Sequence, residues 1–276
     1  WKHIKKLKEL GYSIAATSNG YQLECSPDAL YPWEFPEREH LIRYHQEVTS
    51  TMEVAKEEAR GGCDDFTVII AESQSNGRGR LKRRWHSDSG GLYFTLVLRP
   101  KVPPIMMTKF SFAASFSLVS VLRDEFQIDA KAKWPNDILV NERKLSGMLC
   151  EMEMESDMVS FVNIGIGLNV NNNPSEYEPN AVSIKELIGK PVPRRRILSL
   201  FLDRLKDEID SEDLDGIIPR WKQHAITLNR QVKIVTTTEQ YEGFATDIDE
   251  NGALLLKQPD SSIKKVYYGD CFHMAV

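Results

Sequence analysis

Five cationic side chains, Arg78, Arg80, Lys82, Arg83 and Arg84, fall within seven consecutive positions of the run GRGRLKRRW, Gly77 to Trp85. Positive charge at that density must face something anionic. The arginine guanidinium is a planar donor fork that grips carboxylate or phosphate at two points, and Gly77 and Gly79 let the backbone come close to a ligand. A solvated charge run on a hairpin connection has the same composition, so the run alone leaves both readings open. Trp85, at its end, either stacks on a base or anchors the loop in the core.

Lys133 and Asp137 form a second candidate, in KWPND. Pro135 should interrupt a strand and Asn136-Asp137 supply turn chemistry, which presents the lysine and the carboxylate at a sheet edge. An ammonium held beside a carboxylate suits a reaction between anions with a magnesium ion, although a salt-bridged turn looks the same. Lys144 lies in RKLSG, where Ser146-Gly147 permits close backbone approach or makes an ordinary β-turn. GIGLN, Gly165 to Asn169, alternates glycine through a strand that should be buried, so another backbone or a ligand is expected against it.

Several chemistries are excluded by what surrounds these residues. The glycines do not follow GxGxxG and no GxxxxGK[ST] loop is present, so a nucleotide would have to be held in another way. Cys25, Cys63, Cys150 and Cys271 are far apart with no CxxC pair, which argues for reduced structural thiols. The six histidines show no HExxH spacing. With 276 residues, 41% of them hydrophobic and 27% charged, the chain reads as ordinary globular protein. No apolar stretch approaching ~18 residues is evident, and the start WKHIKKLKEL is unlike a secretory signal, so a cytoplasmic location without a membrane is expected. A formal net charge of -5 disfavours nucleic-acid coating by the whole chain but leaves room for a local basic element.

The elements that must position these residues follow from periodicity. Trp1, Ile4, Leu7 and Leu10 mark one face of a short basic helix that Gly11 ends, and two strand-like pieces follow, joined through Asn19-Gly20. Residues 27–40, rich in proline and acid, read as a linker. Beyond it, Leu41 to Val48 reads as a strand, and Ser50 with Glu53 forms a capping box opening a helix that closes at Gly61-Gly62. The cationic run joins the apolar runs FTVIIA (Phe66 to Ala71) and LYFTLVL (Leu92 to Leu98). A long helix spans Met107 to Phe126, four strand segments follow between Lys131 and Val170, and helices cover Arg194 to Glu208 and Ile217 to Ala225. Strand clusters mixed with helices, without regular alternation, point to α+β. From Gln231 onward, short strands at regular spacing describe a small all-β barrel.

In order, these motifs resemble the biotin protein ligases, specifically the bifunctional ligase/repressor class. Ser50-Thr51, QSNGRGRLKRRW (Gln74 to Trp85), KWPND (Lys133 to Asp137), KLSG (Lys144 to Gly147) and GIGLN stand in family-like register, and the resemblance covers nearly the whole chain. It implies residues 1–26 as part of a winged helix-turn-helix, 27–40 as linker, 41–228 as a mixed-sheet catalytic domain of the biotin/lipoate ligase type, and 229–276 as an SH3-like barrel. It implies formation of biotinyl-AMP from biotin and ATP with magnesium, then transfer of biotin to a lysine of a carboxylase carrier domain. Ser50, Thr51 and Gln74 would bond the ureido ring, with Met52 standing where a polar Asn or Gln is usual. Gly77, Arg78, Gly79 and Arg80 would close over biotin and phosphates, and Gly147 would pack along biotin. Lys133 and Arg80 are the expected catalytic residues, with Lys133 bridging the biotin carboxylate and the α-phosphate. Arg78, Arg80, Arg83, Trp85, Lys133, Asn136, Lys144 and Asn169 would hold ATP. Asp137 would support the metal, directly or through water.

Two other readings stay open at this point, a lipoate protein ligase and a noncatalytic ligand-sensing DNA-binding regulator. Lys2, His3, Lys5 and Lys6 are the expected DNA contacts. A homodimer on a two-fold operator is implied for a full-length parent. Because the sequence starts inside the would-be recognition helix, operator binding by these residues alone is expected to be weak or absent.

Overall fold

The computed structural model describes residues 1–211 and 214–274. Residues 212–213, in the expected catalytic domain, and 275–276, at the end of the expected barrel, lie outside the described residues. Helix α1 (Lys2–Glu9) buries none of its own residues, and Gly11 beyond it has φ +93°, the left-handed conformation that its position predicted. Strands β1 (Ser13–Thr17) and β2 (Gly20–Cys25) pair antiparallel as the Asn19-Gly20 signal requires. The proline-rich stretch after them is held down more firmly than a loose tether, because Leu30 and Phe35 sit in the core. Burial of each contributes about 1.5–3 kcal/mol, enough to order a short irregular segment.

Next come β3 (Ile42–Val48), α2 (Thr51–Arg60), β4 (Thr67–Gln74), β5 (Leu92–Leu98) and α3 (Met107–Phe126). After them lie β6 (Lys131–Lys133), β7 (Asp137–Val140), β8 (Arg143–Glu155) and β9 (Met158–Leu168). The seven strands form one mixed sheet in the order β3-β4-β5-β9-β8-β7-β6, in which β3 and β4 are parallel and the other neighbours antiparallel. This is the expected α+β architecture. Alternate residues of the strands face opposite sides. On one side Ala55 and Ala59 of α2 pack on Ile69, Val97 and Phe161. The other side carries the main core, under α3, α5 (Arg194–Asp210) and α6 (Ile217–Lys222). The short α4 (Ile184–Ile188), absent from the sequence reading, is capped by Ser183 Oγ, which accepts from Glu186 N–H.

One expectation needs correction. Residues Pro104–Phe126 form a helix long and apolar enough to cross a membrane, where the sequence reading saw no such stretch. The scattered serines and Lys109 hid it from inspection. In the fold it is a core helix, with 67% of its most apolar window buried and the Trp221 indole donating to Ser115 Oγ at 3.1 Å.

The C-terminal unit is a five-stranded antiparallel sheet, order β13-β12-β11-β10-β14, of β10 (Arg230–Val235), β11 (Gln240–Ile248), β12 (Leu254–Lys257), β13 (Ile263–Val266) and β14 (Asp270–His273). Its last strand escaped the sequence reading, and it is the strand that reaches the site. Trp134 ties the two units together, its indole donating to Gly252 O at 3.0 Å.

Candidate functional site

The α2-facing side of the sheet contains a depression made by glycines. Strand register places Tyr93, Gly167, Gly147 and Asp137 in one row across β5, β9, β8 and β7, and Thr95, Gly165 and Leu149 in the next. With no side chain at the middle of either row, neighbours can lie on the backbone itself. A Cβ at Gly167 would overlap the Trp85 indole, one at Gly147 would come within 3.0 Å of Trp85 Cζ3, and one at Gly165 would strike Met52 Sδ. The alternation in GIGLN therefore accommodates two side chains rather than another backbone. Trp85 anchors the cationic loop to the sheet, and its Nε1 is buried with no partner among the described residues.

Above this floor lies a cavity of about 300 Å³. At one end α2 begins. Ser50 is its N-cap, accepting from Met52 N–H at 3.3 Å. The expected capping box is only half present, because Glu53 turns away to pair with Arg78. Gln74 Oε1 accepts from the Thr51 backbone N–H at 2.8 Å and from Thr51 Oγ1 at 3.2 Å. Met52 is buried against Gly165, so no side-chain hydrogen bond arises at the position where an amide was usual.

The other end is cationic. The loop is closed on itself by Gly79 N–H donating to Arg83 O and Trp85 N–H to Gly77 O, each at 2.8 Å, with Leu81 and Lys82 at φ +53° and +59° making the tight reversal. Gly77 fits because a Cβ there would lie 2.7 Å from Ser87 Oγ and 3.1 Å from Gln74 Nε2. Each of three arginines meets a different wall. Arg78 pairs with Glu53 and, at 2.7 Å, with Glu151 on β8. Arg80 donates to Asn136 Oδ1 at 2.8 Å and to Gly269 O at 3.3 Å, and burial pushes its pKa below the usual arginine value. Arg83 pairs with Asp270 on β14. Arg84 donates to Ser75 O at 3.2 Å and also lines the cavity, while Lys82 is exposed.

KWPND folds as a turn between β6 and β7. Asn136 is locked by donating Nδ2 to Met148 O at 2.6 Å and by accepting from Met148 N–H on its carbonyl at 2.9 Å. RKLSG is not a turn but the start of β8, and Lys144 reaches back to Asp137 at 2.8 Å, 5.4 Å from the centre of the Trp85 ring. The cavity lining includes Ser50, Thr51, Met52, Gln74, Arg78, Gly79, Arg80, Arg83, Trp85, Asn136, Asp137, Lys144, Gly147 and Asn169. Gly77 and Lys133 lie outside the lining. Lys133 pairs in register with Asp137, and its charge acts on Cys271 and His273 of β14. Lys2, His3, Lys5 and Lys6 stand apart from the cavity, on α1.

Sequence reasoning missed the far end of the cavity, where His86 stacks on Tyr177 at 4.2 Å with Asp88, Glu178 and Ala181 nearby in the lining. His86 directly follows the cationic run, which was the one available signal; Tyr177 lies in an aperiodic polar stretch. Among the described residues no three His, Cys, Asp or Glu side chains cluster to hold a metal ion. Asp137, with one oxygen on Lys144, fits magnesium only as a single carboxylate beside substrate phosphates, which is a usual arrangement for that ion.

One cavity on the mixed sheet thus carries hydrogen-bonding groups at Ser50, Thr51 and Gln74 and cationic groups at Arg78, Arg80, Arg83 and Lys144. Residues 44–171 match the biotin/lipoate A/B protein ligase family and residues 227–274 the biotin protein ligase C-terminal domain. The chain is 33% identical to the bifunctional ligase/repressor BirA of Bacillus subtilis, over 98% of this chain and 87% of that protein. It is 32% identical to the biotin–[acetyl-CoA-carboxylase] ligase of Paracoccus denitrificans, over 72% and 87% respectively. A solved biotin protein ligase from Aquifex aeolicus, in complex with biotin and ATP, superposes with a TM-score of 0.72 at 26% identity, covering 85% of this chain and 99% of that one. The chain belongs to the biotin/lipoate A/B protein ligase family.

Proposed function

We propose that this chain is an ATP-dependent biotin protein ligase. A carboxylate oxygen of biotin attacks the α-phosphorus of ATP and pyrophosphate leaves; the amine of a carrier lysine then attacks the acyl carbon and AMP leaves. The observation that carries this reading is that one cavity joins the Ser50, Thr51 and Gln74 end to the Arg78, Arg80, Arg83 and Lys144 end. The first end suits the ureido ring, whose polar atoms would otherwise be buried unpaired. The second offsets the repulsion between two anions brought together for reaction. Arg80 and Lys133 are assigned to the reacting oxygens, Lys133 by extension of its side chain from β6. Gly79 and Gly147 line the biotin side, Gly77 lets the loop sit close over it, and Arg83, Trp85, Asn136, Lys144 and Asn169 serve the nucleotide. Magnesium neutralises phosphate charge when bound, and Asp137 is the carboxylate placed to support it.

The acceptor we propose is the carrier domain of a biotin-dependent carboxylase, as the name of the Paracoccus relative indicates for that protein. A repressor role draws support from the Bacillus relative's name and from exposed Lys2, Lys5 and Lys6 on α1. One helix and a hairpin supply few phosphate contacts, so operator binding by these residues alone should be weak and salt-sensitive. A homodimer is proposed on the family likeness, with β3 as an open sheet edge. Free thiols at all four cysteines suit a cytoplasmic enzyme. The test is exchange of labelled pyrophosphate into ATP. Exchange that requires biotin and magnesium and ignores lipoate is expected; exchange driven by lipoate instead, or none, would overturn the reading.

A further inference from the structure

Two buried hydroxyls outside the cavity lining are wired into its polar end. Thr95 on β5 is fully buried, and its Oγ1 lies 2.9 Å from Thr51 Oγ1. Ser87 is also buried, and its Oγ lies 2.8 Å from Gln74 Nε2 and 3.2 Å from Trp85 O. The direction of every proton in this chain is forced. A backbone N–H can only donate, so the Thr51 amide fixes Gln74 with its oxygen inward. Thr51 Oγ1, 3.2 Å from that same oxygen, must then give its proton to it, and the bond between the two threonines must run from Thr95 to Thr51. On the other side of the amide, Nε2 donates to Ser87, which passes its own proton to the Trp85 carbonyl.

We propose that Thr95 and Ser87 are positioning residues that hold Thr51 and Gln74 in the hydrogen-bond polarity offered to the ligand; this rests on the biotin ligase reading. Thr51 Oγ1, having spent its proton, can meet the ligand only as an acceptor. Gln74, having turned its oxygen inward, meets it only through the second N–H of Nε2. Ser50 accepts from Met52 N–H and keeps its proton for donation. The resulting edge is two donors and one acceptor, the complement of a urea carbonyl flanked by an N–H. A lactone-like or carbamate ring, with oxygen in place of that N–H, would set two acceptors against each other at Thr51. Such a mismatch inside a buried site costs far more than the loss of one bond.

The test is steady-state pyrophosphate exchange with the whole chain, using biotin and a carbamate analogue in which ring oxygen replaces one urea N–H. Thr95→Val keeps the shape and removes the donor, so Thr51 Oγ1 loses a bond that holds its orientation toward the ligand while its proton stays on Gln74 Oε1. The expected result is a biotin KM about fivefold to tenfold higher, with kcat and the ATP KM unchanged within about twofold, the scale of one buried hydrogen bond. Discrimination against the carbamate should persist, because Gln74 still takes the Thr51 proton, and Thr95→Ser should restore the biotin KM. Ser87→Ala should also raise the biotin KM without relaxing the carbamate discrimination, because Nε2 loses its partner while the Thr51 amide still holds the Gln74 oxygen. Unchanged biotin KM in both variants, equal losses for biotin and ATP, or lost carbamate discrimination in Thr95→Val would overturn the assignment. A wild-type chain with no biotin-dependent exchange would instead sink the ligase reading on which it rests.

Discussion

Two stretches of this chain carry similar densities of positive charge and have opposite fates. In α1, Lys2, Lys5, Lys6 and Lys8 sit on a helix that buries none of its residues, and Lys5 pairs with Glu9 at 3.9 Å with both side chains well exposed. Such a pair contributes little. In the loop from Gly77 to Trp85, Arg78, Arg80 and Arg83 each meet a partner from a different element, so the loop is held between α2, β8, the KWPND turn and β14. Charge density in a sequence therefore does not separate a solvated face from a binding site. What separates them is whether glycines and an aromatic anchor pin the charges inside the fold. The loop's arginines are paired with Glu53, Glu151 and Asp270, and on the proposed function a bound polyanion would compete with these carboxylates for them.

The largest expected effect breaks or sustains this comparison directly. Arg80 is the loop cation whose burial lowers its pKa, and it touches both the KWPND turn and the C-terminal unit. Arg80→Ala should slow biotin-dependent pyrophosphate exchange by about 10²-fold, the scale of one well-placed electrostatic contact. Removing two α1 cations, Lys5→Ala with Lys6→Ala, should leave the rate within about twofold. Equal losses from the two changes would show that net charge matters more than placement.

What the sequence disclosed, and what it hid, follows the same division. Features governed by neighbours in the chain were legible: the ends of α3 at Met107 and Phe126, the left-handed Gly11, the Asn19-Gly20 hairpin and the Ser50 cap all stand where local chemistry put them. Features governed by distant neighbours were not. Asp270 opposite Arg83 belongs to a strand the sequence does not announce, and the Gly269 carbonyl under Arg80 directly precedes it; no periodic signal marks a four-residue edge strand ending in polar residues. Ser87 and Thr95 look like any strand hydroxyls until the fold places them beside Gln74 and Thr51. GIGLN gave a correct signal with a different meaning, since its glycines make room for Met52 and Trp85.

That difference supplies a sharper test of the anchor. Gly167→Ala puts a Cβ into the Trp85 indole, which lies on backbone that cannot yield. The cost of such overpacking is about 1–3 kcal/mol, unless the loop lifts away to avoid it. The two outcomes separate in one pair of measurements. A lowered melting temperature with unchanged tryptophan fluorescence means that the strain is borne in place, whereas red-shifted emission with a raised ATP KM means that the loop has come off its floor. Wild-type values for both would show that Trp85 does not anchor the cationic run.

The smallest expected effect concerns the seam between the two units. His273 on β14 lies 2.9 Å from Glu142 through Nδ1 and near Lys133, and burial, more than its other neighbours, lowers its pKa below the usual histidine value. The unfolded chain therefore takes up a proton before the folded one does. Stability owed to the neutral ring is full above the ordinary histidine range and is lost as the pH falls through the lowered value. Melting temperatures recorded between pH 7.5 and about 5 should fall less steeply in His273→Gln than in the wild type, with the two curves converging at the acid end. ATP binding should follow the pH trend only as far as the seam itself loosens. A steeper acid loss in His273→Gln would reverse the sign assigned to the ring and place its protonated form in the native state.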